Sequence, residues 1–259
     1  MKTVAATRYV TPLREGGSLP AVVEADDGEL YVVKFLGAGQ GPRALVAEVV
    51  VGELARACGL RVPDLVCVSL DPAFGLNERD PEIRDLLRAS SGLNAGLAYL
   101  PGAIAYDPVA PPEVNPALAS AIVWLDAFTL NVDRSPRNPN LLLWEGGLWL
   151  IDHGAALYFH HAWAGAAAHA TGRFAPVRDH VLLKQASKLP EADASLRPRI
   201  AATLAAGLLD EVPDTWLVPG DGAPDAAAVR ARYREWFETR LANTAGFLEE
   251  AEHARRANV

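Results

Sequence analysis

LDAFTLNVDRSPRNPNLLLWEGGLWLID, residues 125–152, combines three local signals in one stretch. Its first residues read as the end of an apolar helix, and the polar loop 131–140 follows them. Two short apolar runs come next, Leu141–Trp144 and Leu148–Ile151, with the turn Glu145–Gly147 between them. A glycine-containing turn between two apolar runs predicts a β-hairpin. The stretch therefore predicts a polar loop that leads into a small sheet, and a second loop that begins where the sheet ends.

Three oxygen-bearing side chains in this stretch predict phosphoryl transfer. Asp133 and Asn138 are spaced D-x-x-x-x-N, and Asp152 ends the second strand of the hairpin. Because a hairpin returns the chain to its starting end, we expect all three side chains at one end of the sheet. The reaction needs a carboxylate that orients a hydroxyl and accepts its proton, which we assign to Asp133. It also needs oxygen ligands for Mg²⁺, which we assign to Asn138 and Asp152.

The N-terminal part has the order of elements expected of a nucleotide-covering loop. A glycine-containing loop precedes a predicted strand at 19–24, and a second predicted strand, LYVVKF at 30–35, contains a lysine. Backbone N–H groups of such loops can face phosphates. The alternatives are an ordinary surface turn for the glycines and an edge-strand lysine that faces water. The candidate phosphate contacts are Gly16, Gly17, Ser18 and Lys34.

Helical spacing of apolar residues predicts a helix over 43–58, which Gly59 ends. A lysine within an apolar strand must reach water or an acidic partner. The helix offers two acids, Glu48 and Glu53, as partners for Lys34. Further along the chain we predict strands at 63–70 and 96–100, and helices at 115–130, 176–188, 195–210 and 225–256. Residues 71–92 are either an insertion or contain a short helix near 81–89.

The motifs around the hairpin resemble the catalytic and metal-binding loops of the protein-kinase-like fold. Asp152-His153-Gly154 stands where protein kinases carry D-F-G. N-x-D-R-x-x-R-N-P-N followed by I-D-H-G, with E-x5-L-A-x3-G-L on the predicted helix, is similar to the HipA-like kinase family of bacterial serine/threonine kinases. Ser135 stands where the toxin members carry a histidine, so the resemblance implies the kinase fold and not toxicity.

This resemblance implies an α+β, two-lobed fold with a small β-rich lobe over 1–100 and a larger helical lobe over 101–259. It implies that Asp133 is the catalytic base and that Lys34, paired with Glu48, holds the phosphates of ATP. It also implies ATP and Mg²⁺ as cofactors and a protein hydroxyl as acceptor. The expected nucleotide and metal contacts are Tyr99 and Leu100 beside the adenine, and Asn138 and Asp152 at the metal.

Two other functions stay open at this point. The D-R-x-x-x-N pattern is also similar to phosphoinositide-kinase-like enzymes, which suggests a lipid or small-molecule acceptor. A nucleotide-binding pseudokinase that regulates a partner is the third possibility, although intact Asp133, Asn138 and Asp152 favour an active enzyme. Asp126, seven residues before Asp133, is expected to make a structural hydrogen bond.

The composition excludes several classes of protein. Half of the residues are hydrophobic and 22% are charged, which is typical of a globular chain. The net charge of −8 argues against nucleic acid or an anionic membrane as the main partner. Cys58 and Cys67 lie in apolar surroundings, and we see neither a signal peptide nor a membrane-length apolar run. We therefore expect a cytoplasmic protein, and the sequence does not indicate its oligomeric state.

Overall fold

The computed structural model describes residues 1–13, 19–76 and 78–258. The strands are β1 (Thr3–Pro12), β2 (Ala21–Ala25), β3 (Leu30–Lys34), β4 (Leu65–Leu70), β5 (Gly92–Ala98), β6 (Ile104–Ala105), β7 (Leu141–Trp144) and β8 (Gly147–Leu150). The α-helices are α1 (Gly41–Ala57), α2 (Pro81–Ala89), α3 (Pro116–Thr129), α4 (Ala166–Thr171), α5 (Leu189–Ala205), α6 (Ala226–Ala242) and α7 (Thr244–Asn258). A strand-rich N-terminal part thus precedes a helical C-terminal part, which confirms the predicted α+β class. The predicted boundary at residue 100 stays a prediction.

Five strands of the N-terminal part close into a barrel in the order β1-β2-β3-β5-β4. All neighbouring pairs are antiparallel except β1 and β4, which are parallel. β3 pairs with β2 on one side and β5 on the other, so Lys34 at its end lies opposite Ala95 in a central strand. The edge-strand alternative for Lys34 is therefore excluded. Gly96 allows close packing inside the barrel, because a β-carbon there would lie 2.6 Å from the Val68 side chain.

α1 connects the barrel to the helical part. It packs against β4 and β5 on one side and α5 on the other. Its residues are buried almost all round, including Leu45, Val49 and Leu54. These side chains belong to the larger apolar core, which extends through α3 and the C-terminal helices, whereas Val33 and Val68 belong to the separate barrel core. A helix that is apolar all round is one that is buried on all sides.

The predicted hairpin is formed by β7 and β8, which pair from Leu141↔Leu150 to Trp144↔Gly147. α3 leads into it, beginning at the predicted cap Asn115, whose side chain accepts a hydrogen bond from the backbone N–H of Ala117. β6 extends the hairpin to three strands. The polar loop 131–140 therefore lies between the end of α3 and the start of this sheet.

Several predictions of secondary structure need correction. The helix predicted at 195–210 is α5, Leu189–Ala205, followed by a 3-10 turn at Leu208–Glu211. The sequence suggests no strand at β1, because its polar residues alternate irregularly, yet it pairs with both β2 and β4. The predicted helix 176–188 is two short 3-10 turns, because His180 between them is extended and turns its ring toward α3. The predicted helix 225–256 is two helices, and Asn243 between them donates its side-chain N–H to the carbonyl of Thr239.

A buried arginine connects the helices of the C-terminal part. The Arg240 side chain is fully buried and donates to the carbonyls of Ala127 and Phe128 at the end of α3. It also donates to the carbonyls of His169 and Gly172 at the end of α4. Carbonyls in a last helical turn carry partial negative charge, so they stabilise a cation without a carboxylate. Burial nevertheless lowers the pKa of Arg240 to about 10.

Among residues 1–13, 19–76 and 78–258, none of the helices combines the length and apolar character that are needed to span a bilayer.

We expect Arg240→Met to lower the free energy of unfolding by about 3 kcal/mol, because it leaves buried carbonyls without a charged donor. Arg256→Met is the control, since Arg256 is exposed and pairs with Glu252 four residues away, a contact worth less than about 1 kcal/mol. Urea denaturation of both variants measures the difference. Equal losses in the two variants would mean that the four carbonyl contacts of Arg240 do not stabilise the helical part.

Candidate active site

Three charged side chains from distant parts of the chain meet between the barrel and the helical part. Nζ of Lys34 lies 2.7 Å from Oε2 of Glu48 on α1 and 2.5 Å from Oδ1 of Asp152, which follows β8. Glu48 is fully buried and Lys34 is 8% exposed. The other candidate, Glu53, lies 3.4 Å from Arg56. Of the two acids on α1, Glu48 is thus the partner of Lys34.

Glu48 also holds the Asp-His-Gly loop directly. The same oxygen that contacts Lys34, Oε2, accepts a hydrogen bond from the backbone N–H of His153 (2.8 Å). One carboxylate on α1 therefore orients both the lysine of β3 and the loop that carries Asp152. Sequence reasoning did not predict this second contact, because a backbone donor leaves no signal in the residue type.

Lys34 and Asp152 favour the charged form of each other, whereas burial and the nearby charge of Asp152 raise the pKa of Glu48. Burial disfavours the ammonium of Lys34, but the carboxylates of Glu48 and Asp152 outweigh burial and raise the pKa of Lys34. Burial likewise opposes ionisation of Asp152, but Lys34 outweighs it and lowers the pKa of Asp152. Lys34 and Asp152 are therefore both charged at neutral pH. An opposite charge within a few ångströms is the usual cause of such shifts.

Asp133 lies in the polar loop with two amides against it. Its Oδ2 accepts hydrogen bonds from Nδ2 of Asn138 (2.7 Å) and Nδ2 of Asn140 (3.3 Å). Its backbone N–H donates to the side chain of Asn131 (3.1 Å). Burial and the nearby charge of Asp152 raise the pKa of Asp133 above its ordinary value. A half-buried, oriented carboxylate with a raised pKa has the properties of a general base.

A second buried ion pair fixes the polar loop to α3. Asp126 in the last turn of α3 accepts hydrogen bonds from Nδ2 of Asn131 (3.0 Å), Nε of Arg134 (2.5 Å) and Nε2 of His180 (2.9 Å). Arg134 and His180 outweigh the effect of burial and lower the pKa of Asp126. Arg134 is 1% exposed, so its guanidinium is not available to substrate phosphates. The expected structural hydrogen bond of Asp126 is in fact a set of three.

The two ends of the hairpin place the polar loop and the Asp-His-Gly loop next to each other. Asn140 before β7 and Asp152 after β8 have left-handed backbone conformations, with φ of 49° and 54°. Asparagine and aspartate tolerate this conformation better than other non-glycine residues. The backbone N–H of Ile151 donates to the carbonyl of Asn140 (3.1 Å) and closes the base of the hairpin. The two loops therefore leave the sheet side by side.

A cavity of about 660 Å³ lies between the barrel and the hairpin sheet. Its walls are largely apolar, and Tyr99 and Leu100 lie at its edge. A smaller cavity of about 170 Å³ contains Asp133 and the start of α1. Its size and mixed lining make the larger cavity typical of a small-molecule site. The residues common to both cavities are Lys34, Asn138 and Asp152.

The structure thus places most of the predicted site residues around these two cavities. Gly16, Gly17 and Ser18 lie outside the described residues. Across the three described segments, no group of three or more His, Cys, Asp and Glu side chains is arranged to hold a metal ion. Mg²⁺ does not require such a cluster, because it usually keeps several waters and takes one or two protein oxygens. The residues brought together are Lys34, Glu48, Tyr99, Leu100, Asp133, Asn138 and Asp152.

The chain is similar to a known protein family and to a solved structure. The model of the family described as HipA-like kinase matches residues 7–235. The solved structure of the Helicobacter pylori proinflammatory kinase CtkA has a TM-score of 0.56 and 12% sequence identity, and the match covers 99% of each chain. At this identity the likeness shows a shared fold. No protein with a curated description matches the chain. Since the family model spans most of the sequence, including both loops and the Lys34–Glu48 pair, the chain belongs to the HipA-like kinase family.

Proposed function

We propose that this protein is an ATP- and Mg²⁺-dependent kinase that moves the γ-phosphate of ATP to a serine or threonine hydroxyl of a protein. The single observation that carries the proposal is the contact of Lys34 with both Glu48 and Asp152 at the edge of a cavity that also contains Asn138. A phosphate-binding cation beside a carboxylate and an amide oxygen is the set of groups that phosphoryl transfer requires.

The larger cavity would hold the nucleotide. Its apolar walls suit a purine ring, and backbone groups of Tyr99 and Leu100 would bind the adenine edge. Lys34 at the other end would contact the phosphates, and Glu48 would keep its ammonium in place. The raised pKa of Lys34 keeps the cation charged for this task.

Asn138 and Asp152 would hold the metal ion. Both residues line the two cavities, and Asp152 is ionised because Lys34 lowers its pKa. When bound, Mg²⁺ neutralises charge on the phosphates of ATP. Glu48 positions Asp152 through the backbone N–H of the next residue, His153, and Asn138 is positioned by the hydrogen bond from its Nδ2 to Asp133.

Asp133 would orient the acceptor hydroxyl and take its proton. The hydroxyl oxygen forms a bond to the γ-phosphorus, the bond from that phosphorus to the bridging oxygen breaks, and ADP leaves. The proton of the hydroxyl passes to the carboxylate of Asp133. Asn138 and Asn140 hold this carboxylate through Oδ2 and so set its direction.

The acceptor class follows from the family resemblance, with a small molecule or lipid as the alternative. The alternative was motivated by D-R-x-x-x-N, yet the arginine of that pattern is buried against Asp126 and cannot contact an acceptor. The pattern therefore gives the lipid alternative little support. Cys58 and Cys67 are both buried, free thiols, which fits the proposed cytoplasmic location.

We expect Asp133→Asn to lower kcat by at least about 100-fold, because the amide cannot accept the proton, while ATP binding persists. Asp152→Asn should weaken Mg²⁺-dependent ATP binding itself. Transfer of label from [γ-³²P]ATP and calorimetry of ATP binding separate the two effects. Asp210→Asn, at an exposed position far from both cavities, is the control. If the native chain labels neither itself, nor lysate proteins, nor metabolites, the proposed reaction is wrong.

Glu48→Gln and Glu53→Gln form a matched pair on the same helix. We expect Glu48→Gln to lower kcat/KM about 10- to 100-fold, because Lys34 and the Asp-His-Gly loop lose the charge that holds them. Glu53→Gln should leave kcat/KM unchanged, since Glu53 pairs with Arg56 on the same helix and lines neither cavity of the site. Steady-state kinetics with varied ATP measures both. Similar kinetics for the two variants would contradict the assigned role of Glu48.

A further inference from the structure

Arg134 contacts both loops of the candidate active site from the buried side. Nη1 donates to the carbonyl of Asn140 (2.5 Å) at the end of the polar loop and lies 3.5 Å from the carbonyl of Ile151. Nη2 lies 3.4 Å from Nδ1 of His153 in the Asp-His-Gly loop. Nε donates to Asp126 on α3. A single guanidinium thus connects a helix, the loop of Asp133 and the loop of Asp152.

The chemistry of the guanidinium determines which group donates and which accepts in each of these contacts. A guanidinium has five N–H donors in a rigid plane and no acceptor. Nδ1 of His153 must therefore accept, which places the ring proton on Nε2. His153 is fully buried and its backbone N–H donates to Glu48. The Asp-His-Gly loop is held by Glu48 from the barrel side and by Arg134 from the side of α3.

Neutralising Asp126 does not by itself explain an arginine at this position. His180 and Asn131 also bind that carboxylate, and a lysine could supply the missing charge. A lysine ammonium is a point charge and cannot reach Asp126, Asn140 and His153 together. The arrangement therefore depends on the forked guanidinium, whose Nε, Nη1 and Nη2 contact three different partners.

We propose that Arg134 is a positioning residue that fixes the loop of Asp152 relative to the loop of Asp133. The inference rests on the proposed function, in which Asp133 acts on the acceptor and Asp152 on the metal-bound phosphates. Transfer depends on the distance between these two carboxylates, whereas nucleotide binding depends on Lys34 and the larger cavity. Loss of the fork should therefore reduce the rate of transfer more than the affinity for ATP.

Arg134→Lys tests this proposal, because it keeps the charge beside Asp126 and removes the fork. We expect kcat to fall about 10- to 100-fold while the Kd of MgATP changes less than about threefold. Amide hydrogen exchange should increase at Ile151 and His153 as well as in the polar loop. A purely structural role predicts normal kcat per folded molecule and faster exchange in the polar loop alone, and that result would overturn the proposal.

Two matched variants separate the alternatives. Asp126→Asn weakens the anchor of the polar loop on α3 but leaves Arg134 beside both loops, so kcat per folded molecule should fall less than in Arg134→Lys. Arg240→Lys alters an equally buried arginine that touches neither loop, and its kcat per folded molecule should not change. If either variant slows transfer as much as Arg134→Lys, the link between the loops is not the cause.

The proposal can still be tested if Arg134→Lys does not fold or if the native chain is inactive. Should Arg134→Lys not fold, His153→Phe removes the Nδ1 acceptor together with Nε2, which has no partner among the described residues. Unchanged kcat together with unchanged exchange at Ile151 in His153→Phe would overturn the proposal. Should the native chain transfer no phosphate, the proposed function fails. Exchange at Ile151 in Arg134→Lys then still decides whether Arg134 holds the two loops together.

Discussion

The buried contact of Lys34 with Glu48 is the interaction on which the arrangement of the site depends. Removing a lysine and a glutamate from water costs several kcal/mol for each ion, and only a close partner with further hydrogen bonds offsets that cost. Here the further bonds come from Asp152 and from the backbone N–H of His153. The barrel, α1 and the loop after the hairpin must therefore be correctly packed before either charge is compensated. The contact between Lys34 and Glu48 therefore stabilises the site only when these parts of the fold are all in place.

A second ion pair, Asp126 with Arg134, lies on the other side of the Asp-His-Gly loop. Like the first pair, it is buried and has further hydrogen-bond partners. It is fully buried, its oxygens are occupied by other donors, and it lies where a helix ends and a loop begins. Apolar side chains could fill this volume at less electrostatic cost. They could not direct hydrogen bonds at the carbonyls of two separate loops. The buried charges therefore supply directed hydrogen bonds, which apolar packing cannot supply.

Much of the site was predictable from the sequence, because hairpin geometry brings residues before and after it together. Asp133, Asn138 and Asp152 were found through that rule, and Lys34 through its unusual place in an apolar strand. The role of Arg134 was missed, because the sequence of a polar loop does not show whether an arginine side chain points to the substrate or into the protein. β1 was missed because closure of the barrel, and not local apolar periodicity, determines its pairing. Barrel closure depends on contacts far apart in sequence.

The buried position of Arg134 also bears on how the acceptor is recognised. If the motif residues between Asp133 and Asn138 do not all face the acceptor, similarity in those residues reports on loop geometry and not on substrate class. In the proposed reaction, the nucleotide would be bound by residues of the barrel and the hairpin that line the larger cavity. The acceptor would approach Asp133 through the smaller cavity, whose walls include the start of α1 and the residues after Asp152. On this proposal, acceptor specificity would depend on surfaces outside the D-R-x-x-x-N motif.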